Sequence, residues 1–191
     1  MNSQDMILEM LVAKGAFVPG SFKLASGKTT DLKFEVTQVE RDPTLLSVLA
    51  MGLVDRLENP GIIDTVVGVA TGGTLLSRLV SRYLAHITNR EEAAVRFIET
   101  HKLCGGGFAI GGNDLLSFRD AHVLIVEDAI TTAGSVRKVK EVLEIYGADV
   151  YAVCALLSRG TASARDLGVC ELVTLVQTDF EMTDVRRLLA S

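Results

Sequence analysis

From residue 64 to residue 177, short apolar runs alternate with longer amphipathic stretches, and no other feature constrains the fold so tightly. DTVVGVA (64–70), AAVRFIE (93–99), HVLIVED (122–128), DVYAVCALLS (149–158) and CELVTLVQ (170–177) read as strands. GTLLSRLVSRYLAH (73–86) and AGSVRKVKEVLEIYG (133–147) read as helices, the second stopped at Gly147. Strands covered on both faces lose the polar–apolar alternation of half-exposed ones and become continuous Val/Ile/Leu runs. Strand and helix in turn build right-handed βαβ units. The expected class is α/β, with an open, mainly parallel sheet flanked by helices.

Ahead of this core, residues 2–14 read as a helix with Met6, Ile7, Met10 and Leu11 on one face. GAFVPGSFKLASGKTTDLKFEV (15–36) is rich in Gly, Ser and Thr and resembles a small hood. A second helix opens with Asp42 as N-cap and Pro43 at its first position, then repeats Leu45, Leu46, Leu49, Leu53 and Leu57. The 191 residues suffice for one domain over 1–191, with a hood to about residue 40 and a core from about residue 41.

A net charge of −5 argues against a nonspecific nucleic-acid surface. No apolar run approaches the ~18 residues of a membrane span, and MNSQDMILEML lacks the basic start and apolar core of a signal peptide. The expected location is the cytoplasm. Cys104, Cys154 and Cys170 show no metal spacing; Cys154 and Cys170 sit in apolar runs and read as buried thiols.

The stretch VLIVEDAITTAGSV (123–136) carries the chemistry. Ligands of open parallel sheets bind beyond the carboxyl ends of the strands. Here a strand ends in Glu127 and Asp128, and a loop of Thr131, Thr132, Ala133, Gly134 and Ser135 leads into a helix. Backbone N–H groups at that helix start, with the hydroxyls, form an anion cradle. Carboxylates accept hydrogen bonds from hydroxyls, and a ribose 5-phosphate carries both hydroxyls and a phosphate. Neither a Walker P-loop nor GxGxxG is present.

This stretch resembles the phosphoribosyl pyrophosphate (PRPP) motif of type I phosphoribosyltransferases, and three further segments are similar to the orotate phosphoribosyltransferase branch. The hood reads Gly20, Phe22, Leu24, Ser26, Gly27; VVGVATGGTLL matches a pyrophosphate loop; LLSRG ends in Arg159 where that family has Leu-x-Asp-Arg, with Ser158 replacing the acid. The resemblance implies that Glu127 and Asp128 hold the ribose hydroxyls and that Thr131 to Ser135 hold the 5-phosphate. Ala70, Thr71, Gly72, Gly73 and Arg96 would meet pyrophosphate, with a cis peptide at Ala70–Thr71. Lys28, Lys33, Phe34 and Arg159 would meet the base.

Two segments depart from that pattern. VRFIETHKLCGGGFAIGG stands where the family has a mobile, lysine-rich catalytic loop; Thr100 takes a usual lysine position, and Lys102 and His101 remain as candidate catalytic cations beside Asp128. Lys33 replaces a hood aromatic or aliphatic residue. The implied reaction converts orotate and PRPP to orotidine 5-phosphate and pyrophosphate. Mg²⁺ would be carried by PRPP rather than by a protein cage, in a homodimer that shares the loop between subunits. A transferase for another base, or a non-catalytic PRPP-binding regulator, is the alternative.

Overall fold

The computed structural model describes residues 3–23, 29–111 and 116–190. Helix α1 (Ser3–Ala13) buries Leu8 and Leu11 and lies against the last strand and last helix of the core. The hood is therefore the antiparallel pair β1 (Phe17–Lys23) and β2 (Thr29–Phe34). Along β2 burial alternates: Thr30, Leu32 and Phe34 face inward, while Thr29, Asp31 and Lys33 face outward. This is the two-residue period of a strand with one wet face.

A short helix α2 (Thr37–Glu40) leads to α3 (Pro43–Val54). As the sequence predicts, the Asp42 carboxylate accepts from the Leu45 N–H, and Pro43 occupies the first turn, where a missing donor costs nothing. Then follow β3 (Thr65–Gly68), α4 (Gly73–Ile87), β4 (Arg96–Lys102), β5 (Phe108–Ile110), β6 (His122–Ile130), α5 (Gly134–Ile145), β7 (Asp149–Arg159), α6 (Ala164–Leu167), β8 (Glu171–Thr178) and α7 (Thr183–Leu189). The six strands lie in the order β5-β4-β3-β6-β7-β8, all parallel except β5.

The apolar run of β6 shows why this sheet is covered twice. Leu124 and Val126 join the core that holds α3 and α4; Val123 and Ile125 join the core that holds α5. Two boundaries differ from the sequence reading. The strand expected at 93–99 begins at Arg96, because Glu92–Ala94 form a turn of 3-10 helix, and it runs on through Lys102. Cys154 is buried, and desolvation raises its thiol pKa. Cys170, expected to be buried, is exposed because it precedes β8.

Candidate active site

Helix α4, which follows β3, packs on one face of the sheet, and α5, which follows the adjacent β6, packs on the other. The chain therefore diverges at the carboxyl ends of β3 and β6, and a crevice opens between the two outgoing loops. Both anion loops and both carboxylates expected from the sequence meet there.

On the β3 side, the chain leaves Gly68 through a cis peptide at Ala70–Thr71. The Val69 N–H donates to the Val126 carbonyl at 2.9 Å. The Ala70 N–H donates to the Thr100 hydroxyl at 2.9 Å, which in turn donates to the Gly68 carbonyl at 3.0 Å. The glycines are dictated by close approach. A Cβ on Gly72 would lie 2.4 Å from Cγ of Asp128, and one on Gly73 would lie 2.3 Å from the Val126 carbonyl oxygen.

On the β6 side, Ala133 takes the left-handed conformation (φ 57°) at the start of α5. For a residue with a Cβ this costs roughly 1–2 kcal/mol, and such outliers gather at ligand-binding turns. A recess of about 50 Å³ is lined by Glu127 and residues 129–136. A wider cavity of about 440 Å³ extends from Thr131 and Thr132 to Arg159, Gly160 and Phe180.

Glu127 is buried, and its Oε2 has no partner among the described residues. Burial, then the neighbouring Asp128 charge, push its carboxyl well above the usual range; the positive charge of Lys102 opposes this. Burial raises Asp128 too, while the Glu127 carboxyl and nearby backbone donors pull it back. Of the two carboxyls, Glu127 is the more strongly raised. Glu40, from α2, is raised by burial and then by Asp128 and Glu35, so it belongs to the same acidic wall. Nothing in its sequence context signals this, because only the packing of the hood carries it there.

Lys102 reaches the field of Glu127 from the end of β4. Its segment is not an open loop. Residues 96–110 form a β-hairpin closed by Leu103 N–H to Gly107 O at 2.9 Å, and Lys138 of α5 donates to Gly106 O at 2.7 Å. His101 is exposed and, by strand alternation, projects from the face opposite Lys102. The structure does not bring it to the carboxylates.

Arg96 is a clear correction. It pairs with Thr65 at the amino end of β3, the opposite end from the crevice, and donates to Ser117 O at 2.5 Å and Asp64 at 3.4 Å. Four residues of strand, roughly 13 Å, separate it from Thr100.

Among the expected base-site residues, Lys28 lies outside the described residues, as do Leu24, Ser26 and Gly27 of the hood motif. Phe34 is a core residue, 7% exposed, with its ring 5.4 Å from that of Phe17. Lys33 is on the other face of β2, paired with Glu35 at 2.7 Å. Adjacent strand residues point apart, so these two side chains cannot line one pocket. Arg159 borders the 440 Å³ cavity but is 4% exposed. It donates to Phe180 O at 2.5 Å, Leu32 O at 3.1 Å and Thr30 Oγ1 at 2.8 Å. Two of its five N–H donors therefore tie the hood to the core, and a third holds the segment after β8. Arg186 of α7 adds a forked ion pair to Asp31.

Residues 35–185 match the phosphoribosyl transferase domain family. An orotate phosphoribosyltransferase of Desulforamulus reducens is 35% identical over 172 residues, 88% of this chain and 81% of that protein. One from Thermotoga maritima is 34% identical over 94% of this chain and 88% of its own. The crystal structure of the Aeropyrum pernix orotate phosphoribosyltransferase shares the fold, with a TM-score of 0.69 at 24% identity over 97% of this chain and 98% of that one. The chain belongs to the phosphoribosyltransferase family, in its orotate phosphoribosyltransferase branch. Among the described residues no helix is long and apolar enough to cross a membrane.

Proposed function

We propose that this protein transfers the 5-phosphoribosyl group from PRPP to orotate, giving orotidine 5-phosphate and pyrophosphate. The observation that carries this reading is the contact between Gly72 and Asp128, which joins the pyrophosphate loop and the ribose carboxylates in one crevice. The reacting carbon of PRPP lies between those two groups. The relatives named above carry this activity in their names over most of their length.

In this reading the 131–135 loop takes the 5-phosphate, Glu127 and Asp128 accept hydrogen bonds from the ribose hydroxyls, and Ala70 to Gly73 offer backbone donors to pyrophosphate. The bond from carbon 1 to the pyrophosphate oxygen breaks, a ring nitrogen of orotate bonds to carbon 1, and the nitrogen's proton is lost to solvent. Little covalent work falls to the protein, so rate comes from position and charge. Lys102 approaches from β4, where positive charge favours the leaving pyrophosphate.

The hard oxygen donors of Glu127 and Asp128 fit a divalent cation shared with the ribose hydroxyls. In this reading the remaining oxygen ligands of the cation come from PRPP itself. When bound, Mg²⁺ would neutralise the leaving group. The reading extends to a cytoplasmic homodimer, which sedimentation of the purified protein tests.

A specific observation favours a second reading, another acceptor base. Lys33 and Arg159, two of the cations expected at the base site, are both engaged within the protein. Pyrophosphate release from PRPP, Mg²⁺ and a panel of bases decides. Release with orotate supports the first reading and release only with another base the second. PRPP binding without turnover on any base would leave a regulator.

A further inference from the structure

We infer that Thr100 is the positioning residue of the pyrophosphate loop, an inference that rests on the proposed phosphoribosyl transfer. The β3–β4 ladder ends at the pair Gly68–Glu99. Beyond it the chain departs into residues 69–72, and the Gly68 carbonyl and Ala70 N–H lose their strand partners. Both groups lie near the core, where an unpaired backbone group is costly. The Thr100 side chain, 2% exposed, satisfies both at once: its hydroxyl donates to Gly68 O at 3.0 Å and accepts from Ala70 N at 2.9 Å.

One hydroxyl with one proton fixes the direction of both bonds, and so the orientation of the peptide units that flank Val69. The Val69 N–H is taken by Val126 O at 2.9 Å, and the Gly73 N–H by Val69 O at 2.9 Å. The N–H groups of Thr71 and Gly72 have no hydrogen-bond partner among the described residues. They are the donors left for an anion. Thr100 therefore never touches pyrophosphate; it holds the stem from which those two donors project. The β-branch suits the role, since Thr in a strand has restricted χ1 rotamers.

This role separates the two phosphate sites. Ribose 5-phosphate uses Glu127, Asp128 and the 131–135 loop, none of which bonds to Thr100. Pyrophosphate uses the 70–73 loop. The test measures binding of each ligand, with Mg²⁺, by calorimetry to wild type, Thr100→Val, Thr100→Ala and Thr100→Ser. Loss of the hydroxyl in the Val and Ala variants should weaken pyrophosphate at least ~10-fold and ribose 5-phosphate less than ~3-fold, the range for two lost buried hydrogen bonds. The Ser variant should bind pyrophosphate within ~3-fold of wild type. Amide exchange at Ala70, measured against the amides of the core strands, should quicken selectively in the Val and Ala variants only; a uniform quickening marks a general loss of stability instead.

Wild-type pyrophosphate affinity in Thr100→Val or Thr100→Ala overturns the inference and leaves the proposed function standing. Equal loss of both ligands overturns it too, since that marks a general structural defect. A folded Thr100→Ser protein without pyrophosphate binding does the same. A wild-type protein that binds neither ligand removes the proposed function, and the inference falls with it.

Discussion

Replacing Gly72 by alanine separates the stability of the pyrophosphate loop from its chemistry. Gly72 sits at φ −67°, ψ −32°, a conformation alanine adopts freely. Alanine there restricts the unfolded chain, which alone favours folding by about 0.4–1 kcal/mol. The new Cβ, however, would lie 2.4 Å from Cγ, 2.5 Å from Oδ2 and 2.7 Å from Oδ1 of Asp128. The carboxylate must move, and the short side chain offers only a different rotamer. Hydrogen bonds to a charged group contribute about 1.5–3 kcal/mol, so losing the Asp128 contact to a ribose hydroxyl weakens PRPP by roughly 10- to 150-fold. The expected result is a melting temperature within about 4 °C of wild type, alongside that loss of affinity in calorimetry. The adjacent Gly73→Ala is the control. Its Cβ meets backbone, 2.3 Å from Val126 O and 3.2 Å from the Glu127 Cα, and neither can rotate away. It should cost about 1–3 kcal/mol of stability. PRPP affinity at the wild-type level in a folded Gly72→Ala protein would refute the assignment of Asp128 to the ribose.

Lys102→Ala should lower kcat at least ~10-fold while PRPP affinity changes less than ~3-fold, because its charge acts on the growing charge of pyrophosphate; His101→Ala, on the opposite face, should do less. Glu127 has its folded pKa raised, so the native state holds more protons than the unfolded one between the usual carboxylate pKa and the raised value. Stability is fully present below that window and is lost as pH rises through it. Glu127→Gln should therefore raise the melting temperature of the ligand-free protein at neutral pH, lose that gain near pH 4, and weaken PRPP; a gain that persists at pH 4 would contradict the burial argument. Arg159→Met removes three hydrogen bonds, two of them between hood and core. Each neutral buried acceptor left unpaired costs about 1–3 kcal/mol, and limited proteolysis should then cut first at the hood.

What the sequence determined by itself was whatever depends on local pattern. The unbroken apolar run 123–126 requires a strand covered on both faces, and the two cores that share it follow. Asp42 and Pro43 set the start of α3 through groups within one turn of each other. Glu127, Asp128 and the 131–135 loop are contiguous, so one strand and one helix start carry them together. Tertiary structure decided whatever depends on distant neighbours. Arg96 and Lys102 are six positions apart in one basic segment, yet a strand puts them at opposite ends of the sheet. Lys33 and Phe34 are adjacent, yet pleating turns them to opposite faces. Arg159 was legible as a site arginine, but its partners Thr30 and Leu32 lie far off in the chain, and only the docked hood takes up its donors. Thr100 reads as an ordinary strand residue until the end of β3 leaves two backbone groups beside it. Hydrogen bonds between residues remote in sequence have no local signature, because their geometry exists only once the sheet has formed.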